Sequence, residues 1–498
     1  MQAGEPSSSF LGRARPLVLA RMGTALLTIS IPLVLARSME LREYGTYKQL
    51  FLVSSTLAYV LPLGMPHALY FFIPRADVKR PYLVHTLAFL TLTGVLAALA
   101  LFAFDARVAG AFSNPALTQY RFEQAVYVVL FVASLTLEIS LTTQGRTRQS
   151  AVAYLVSDAV RALAMVVPVL LGFGLKGLMI ATAAFAALRY AVAWGVVLRS
   201  GPGPLFDRRK LAEQLAYALP FGAAMLVAVP QHYAHQYVVS NSVPPEVFAI
   251  YAVGCFQLPV VDLLYTPTSE VLMVRLGELD KQGRAEEGAG AFREATSKLA
   301  LVFFPLAAFL VAAAPELIDA LFGHRFADAV PLFRIGVTGV ALAIMPMDGV
   351  LRARNQTRFL FRAYLAKAAV TVPLVWLGVR HFGMLGGIGS WALAEVFGKA
   401  VLLSRIPRAL GLPFRRCVPW VPLARASGAA ALAAGGVVAV RAIAHPAYAG
   451  LPPGFLWRAL PLATGGVLFA IGYLAALRMT GVRPLAVLAS LRQHRAAR

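Results

Sequence analysis

The sequence predicts an all-α polytopic membrane protein of about fourteen transmembrane helices, six in each of two parallel lobes and two more after them. Three observations carry this. The 498-residue chain is 59% hydrophobic and only 14% charged, whereas soluble domains are about 45–50% apolar and about 25% charged. Apolar stretches of about 20 residues, long enough to cross a bilayer core, recur along it. The chain also repeats itself. Tyr44-Gly45-Thr46-Tyr47 returns 204 positions later as Phe248-Ala249-Ile250-Tyr251, with Ser38 opposite Ser242. Thr147-Arg148 and Ala153-Tyr154-Leu155 return 210 positions later as Thr357-Arg358 and Ala363-Tyr364-Leu365, and Phe173-Gly174 returns as Phe382-Gly383. A long internal repeat in so apolar a chain points to a transporter of two similar lobes.

The expected spans are 16–36, 46–72, 83–104, 123–143, 151–171, 177–198, 215–240, 247–272, 297–315, 329–351, 360–379, 384–404, 421–441 and 457–478. They divide the chain into a first lobe at 1–205, a second at 206–408, and two additional helices with a basic tail at 409–498. The first 15 residues are polar and small, and no small-residue cleavage pattern follows the first apolar run. That run is expected to be an uncleaved first helix.

Lysine and arginine set the orientation. Alternate loops hold Arg75, Lys79 and Arg80; Arg146 and Arg148; Arg208, Arg209 and Lys210; Arg352, Arg354 and Arg358; and Arg405, Arg408, Arg415 and Arg416. The opposite set is poorer: Lys176 alone after the fifth span, none between 241 and 246, and Arg380 alone after the eleventh. By the positive-inside rule both termini are expected to be cytoplasmic. Equivalent loops carry the same Thr-Arg on the same side, so the repeats are parallel, related by an axis along the membrane normal. The net charge of +23 is then explained by this bias and by anionic lipid, and nucleic acid is excluded as a partner. Cys255 and Cys417 lie far apart, which leaves no disulfide framework or metal cluster. No nucleotide-binding, metalloprotease or nucleophile-elbow motif is present, so the chain reads as a transporter without cofactor rather than an enzyme.

Ionisable residues inside spans are costly and mark function or pairing. Asp158 and Arg161 are three apart, and Glu395 and Lys399 four apart, so each pair shares a helix face and is expected to neutralise itself. At the offset of 210, Lys399 matches Arg189 and Asp348 matches Glu138. The two acids are expected either to bond nearby loop arginines at the cytoplasmic rim or to form a gate as the lobes move. Arg21 has no charged counterpart, since Met225 stands at the matching place. It is expected to reach lipid phosphate or to line a cavity, with Lys48, Arg362 and Lys367 as weaker candidates of the same kind. Guanidinium in particular suits a pyrophosphate. His232 and His235 share a face in the most polar membrane stretch. A proton relay with Asp262 is one reading and a satisfied lobe interface the other; too few ligands are at hand for a metal.

Leu35-Ala36-Arg37, Glu43-Tyr44-Gly45-Thr46-Tyr47 and Leu63-Gly64 resemble the opening of bacterial polysaccharide-export (O-antigen or exopolysaccharide) flippases. These belong to the multidrug/oligosaccharidyl-lipid/polysaccharide exporter superfamily. The likeness continues through Glu246-Val247-Phe248-Ala249-Ile250-Tyr251-Ala252-Val253-Gly254, Pro315-Glu316-Leu317-Ile318, Leu321-Phe322-Gly323, Phe326-Ala327-Asp328-Ala329, and Phe382-Gly383 with Gly386-Gly387. It covers roughly residues 15–405. The resemblance implies two six-helix lobes around a central cavity and alternating access. It implies a protein of the bacterial inner membrane that flips an undecaprenyl-pyrophosphate-linked oligosaccharide for surface polysaccharide biosynthesis, whether lipopolysaccharide or exopolysaccharide. Its partners would be that lipid-linked oligosaccharide, membrane lipids, and a polysaccharide polymerase and co-polymerase. Cavity cations would hold the phosphosugar head, a role open to Arg21 and Lys367. Where many relatives carry Asp and a basic residue late in helix seven, this chain has His235-Gln236. A peptidoglycan-precursor flippase and a drug/cation antiporter of the same superfamily are the alternatives, the antiporter disfavoured by Arg21 where a carboxylate would serve it. A membrane polymerase, ligase or glycosyltransferase would need larger outer loops.

Overall fold

The computed structural model describes residues 23, 27–256, 260–284, 287–449 and 455–480. They are predominantly helical, without a strand among the described residues. Two compact units divide at Ala249 and Ile250. In the first, α1 (Leu27–Ser38) is followed by α2 (Leu41–Val60), α3 (Met65–Phe72), α4 (Arg80–Ala103), α5 (Asp105–Ala111), α6 (Arg121–Ser134) and α7 (Thr136–Thr143). Then come α8 (Thr147–Leu170), α9 (Gly174–Leu198) and α10 (Arg208–Ser242). The helix α4 packs on α6, α6 on α9 and α9 on α8, while α10 lies against α2, α3 and α4. The seam is filled by Leu83, Leu87, Leu90, Val128, Val132 and Val197.

The short α11 (Pro245–Gly254) leads into the second unit, which holds α12 (Val260–Lys281), α13 (Gly288–Ala312), α14 (Ala314–Phe322), α15 (Ala329–Gly336), α16 (Thr338–Leu342) and α17 (Met347–Ala353). It continues with α18 (Thr357–Leu410), α19 (Phe414–Cys417), α20 (Trp420–Ala449) and α21 (Phe455–Met479). Here α12 packs on α13 and α17, α13 on α20, and α20 on α21. Small residues let these last helices approach closely: Ala429, Ala430 and Ala433 are buried with Phe469 and Tyr473. Arg441 on α20 fastens the seam, with Nε 3.2 Å from Glu316 Oε1 and Nη1 donating to the Ala312 carbonyl at 3.3 Å.

Large apolar side chains face outward, among them Leu99 (60% exposed), Phe173 (66%) and Leu432 (73%). Such a surface is stable only against lipid, and the chain is a multi-pass membrane protein. Among the described residues, ten helical segments are long and apolar enough to cross, against the fourteen expected for the whole chain. Part of the difference lies in α18. Its 54 residues would extend about 80 Å at 1.5 Å each, far beyond a core of about 30 Å. The chain instead turns back at Gly383, whose φ of 56° and ψ of −138° break the helix into two antiparallel arms. The expected span 16–36 lies partly outside the described residues, and its later part falls within α1. The expected 247–272 span is not continuous: α11 stops at Gly254, whose backbone abuts Leu332, and helix resumes at Val260. The 46–72 span is likewise interrupted, between α2 and α3, where Leu63 and Gly64 take φ of 42° and 81°.

The sequence repeat is also a repeat of backbone events. Ser38 and Ser242 end their helices alike, each hydroxyl donating to the carbonyl four residues back. Helices α2 and α11 begin at the matched positions Leu41 and Pro245, and α8 and α18 at Thr147 and Thr357. Before the latter pair, Gly145 (φ 80°) and Asn355 (φ 54°) both take the left-handed conformation that glycine and asparagine tolerate best. Gly174 (φ 58°) and Gly383 (φ 56°) mark the matched break that follows.

The hairpin of α18 depends on backbone contact. A Cβ on Gly386 would stand 1.8 Å from the Gly378 carbonyl oxygen, while Gly389 has nothing within 4 Å. Gly386→Ala is therefore expected to destabilise the purified protein by about 1–3 kcal/mol, the usual cost of overpacking. Gly389→Ala should be neutral or slightly stabilising, and thermal unfolding in detergent compares the two.

Candidate functional site

Each unit carries a cluster of charged side chains on its membrane helices. In the first, Glu138 on α7 is 2% exposed, and its Oε2 accepts from Arg189 Nη2 of α9 at 2.6 Å. Arg189 Nε donates to Ser134 Oγ at 3.0 Å, and Ser157 Oγ donates to Glu138 Oε1 at 3.4 Å. Every strong group in this set is matched, as a buried charge requires. The expectation that Glu138 bonds a loop arginine is corrected here. Arg148 is exposed at the start of α8, whereas α7 lies directly against α9 and brings the acid to Arg189.

Nearby, Arg161 and Asp158 form the expected pair at 2.9 Å. The same Nη2 donates to Thr28 Oγ1 at 3.1 Å, which ties α8 to α1. Lys48 lies over the rings of Tyr44 and Tyr47, 5.3 and 5.5 Å from their centroids. Tyr44 is fully buried and Tyr47 nearly so, as are Phe248 and Tyr251 at the matching places. The repeated tetrad is thus core rather than surface.

The second unit arranges its charges differently. Asp348 on α17 bonds Arg352 one turn on, and it accepts from the hydroxyls of Tyr265 and Ser269 on α12. Here a loop-side arginine does take the acid. Lys367 pairs with Glu395 across the α18 hairpin. That displaces the expected pairing of Glu395 with Lys399, because the fold at Gly383 brings the two arms closer than one helical turn does. Lys399 lies over the Tyr265 ring, 5.2 Å from its centroid. Arg362 is exposed.

The remaining candidates separate. His235 is buried at 3% exposure and bonds the backbone of His232, while His232 itself is exposed, so the two do not present one face. Asp262 belongs to α12, but its side chain lies outside the described residues, and Arg21 lies outside them altogether. Tyr265, Ser269, Ser134 and Ser157 were not foreseen. For Ser157 a signal existed, since at the offset of 210 it matches Lys367. For Tyr265 there was none.

The Glu138–Arg189 bridge generates a stability prediction. Glu138→Leu or Arg189→Met alone leaves a bare buried charge and should cost about 3–5 kcal/mol. The double substitution should recover most of that loss. Chemical unfolding of the three variants measures the coupling directly.

No curated protein matches the sequence. Among solved structures the fold is similar to the lipid II flippase MurJ in an inward closed conformation. The TM-score is 0.71 at 12% identity, covering 92% of this chain and 98% of that one. It is similar also to a multidrug resistance MATE family transporter of the MOP superfamily in an inward-facing conformation (TM-score 0.59, 15% identity, 79% and 93% covered). The Vibrio cholerae MATE transporter VcmN in its bent form matches less closely (TM-score 0.51, 13% identity, 80% and 98% covered). These likenesses show a fold shared with those proteins. A family model described as "Polysaccharide biosynthesis protein" matches residues 34–331, well over half of the sequence. The chain belongs to this family of polysaccharide biosynthesis proteins, and its fold is similar to that of these transporters.

Proposed function

We propose that the protein flips an undecaprenyl-pyrophosphate-linked oligosaccharide across the bacterial cytoplasmic membrane by alternating access, with both termini in the cytoplasm. The family match over residues 34–331 carries this reading. The parallel repeat and the positive-inside pattern of the loops support it. A glycan on a pyrophosphate carrier is polar and anionic at its head and apolar in its tail, so its passage needs cations held within membrane helices. Arg21, Lys48, Arg362 and Lys367 are the contacts we assign to the head. Of these, Lys367 would have to exchange Glu395 for substrate, and Lys48 already rests on two aromatic rings. Glu138 and Asp348 act in this scheme as matched gating acids, with Asp262, His232 and His235 as candidates for ion coupling. A polysaccharide polymerase and co-polymerase would take up the flipped product for lipopolysaccharide or exopolysaccharide assembly.

Similarity to a lipid II flippase favours a second reading, in which the cargo is the peptidoglycan precursor. Both cargoes share the polyprenyl pyrophosphate and differ in the sugar. Reconstitution separates them. Proteoliposomes of the purified chain should move a fluorescent undecaprenyl-pyrophosphate oligosaccharide to the opposite leaflet, faster than they move lipid II. Arg21→Ala should abolish that movement while leaving insertion intact. Lipid II moved at the greater rate would transfer the assignment to the second reading, and normal flipping by Arg21→Ala would remove that arginine from the site.

A further inference from the structure

We infer that Lys399 is an anion-binding residue of the second unit, taking a phosphate oxygen of the pyrophosphate linkage. The assignment rests on the proposed flippase reading and names one more contact for it.

Charge is unbalanced in the second unit. The cluster on α12, α17 and α18 contains two acids, Asp348 and Glu395, and three bases, Arg352, Lys367 and Lys399. Each acid already has a base in direct contact, Arg352 on Asp348 and Lys367 on Glu395. Among the described residues, Lys399 has neither a carboxylate within ion-pair distance nor a hydrogen bond; its neighbour is the face of Tyr265. One positive charge is therefore in excess, on a partly buried side chain in a membrane helix. Such a charge is unfavourable until an anion completes it. Aromatic contact offsets part of that cost, and the three ammonium protons remain available to phosphate oxygens.

Comparison with the first unit shows that the excess is built in. Arg189, at the matching position, is satisfied by Glu138 at 2.6 Å. The corresponding acid for Lys399 is Asp348, one methylene shorter and already engaged by Tyr265, Ser269 and Arg352. Tyr265 thus acts twice. Its hydroxyl holds Asp348 and its ring lies against Lys399, which keeps the acid from claiming the lysine. This makes Tyr265 a positioning residue for the anion site.

The phosphate could come from the lipid-linked glycan or from a bilayer phospholipid, and the test distinguishes them. The purified full chain in phosphatidylcholine nanodiscs is titrated with inorganic pyrophosphate by calorimetry. Lys399→Gln should weaken binding about tenfold or more, roughly the effect of losing one charge-assisted contact, and Lys399→Arg should preserve it. Tyr265→Phe keeps the ring but frees Asp348, so it should also weaken binding, and adding Asp348→Asn should restore it. A purely structural role for Tyr265 would show no such rescue. Repeating the titration with phosphatidylglycerol in the nanodisc identifies the source. Pyrophosphate binding unchanged by that lipid points to the glycan linkage, and competition by it points to a headgroup.

Lys399→Gln binding pyrophosphate as tightly as wild type overturns the assignment. Should that variant not fold, Tyr265→Phe binding as tightly as wild type overturns it instead. Wild-type protein that binds pyrophosphate through Lys399 but flips no lipid-linked oligosaccharide would defeat the flippase reading and leave this one standing.

Discussion

A charge carried into a bilayer must bring its counter-charge, and this requirement shapes both units. Glu138 and Arg189 are 51 residues apart in sequence and meet at 2.6 Å. Lys367 and Glu395 are 28 apart and meet across a hairpin. Desolvation consumes much of the Coulomb attraction, so such bridges add little net stability. Their effect is on register. A shift of one residue along α9 or along either arm of α18 would strand an ion among apolar side chains, at a cost of several kcal/mol. The pairs therefore fix which helical faces meet, while apolar packing supplies the bulk of the cohesion.

That registry works because the backbone breaks at chosen places. The hairpin that presents Lys367 to Glu395 turns at Gly383, and its arms touch backbone to backbone through Gly378 and Gly386. Farther along, Gly398 meets the aliphatic stem of Lys367, so the lysine head is directed by a contact with no polar content. In the first unit, the loop after α8 places Gly172 and Gly174 at positive φ and starts α9 in the direction that carries Arg189 to α7. Placement of charge is downstream of these turns.

Much of this was legible in the sequence, and what was not has a physical reason. The offset of 210 identified Glu138 with Asp348 and Arg189 with Lys399 before any coordinates, because both lobes need an acid and a cation at those places. It did not show that Glu138 and Arg189 bond each other, since neighbours on separate helices leave no trace in local spacing. The i, i+4 rule joined Glu395 to Lys399 and was overridden by a hairpin whose closeness depends on two glycines. Span counting from hydropathy finds apolar length but is blind to Gly254 and Leu63, where tertiary contacts and a left-handed turn interrupt helices that composition would continue. The order of degenerate motifs across two lobes identified the family, where no single motif could.

The lobes have kept their backbone and diverged in charge. Where the first unit has Ser157 donating to Glu138, the second has Lys367; where the first has the buried Phe185, the second has Glu395. These two changes compensate each other as an added ion pair. The shortening of Glu138 to Asp348 has no such compensation at Lys399, because Tyr265, Ser269 and Arg352 occupy the acid. Duplicated scaffolds conserve what folding needs, so a residue whose partner has been withdrawn in one copy is answerable to something outside the fold. In a membrane protein of the polysaccharide biosynthesis family, with a pyrophosphate-bearing lipid as the proposed cargo, an ammonium lacking its acid is the complement we assign to that cargo's charge.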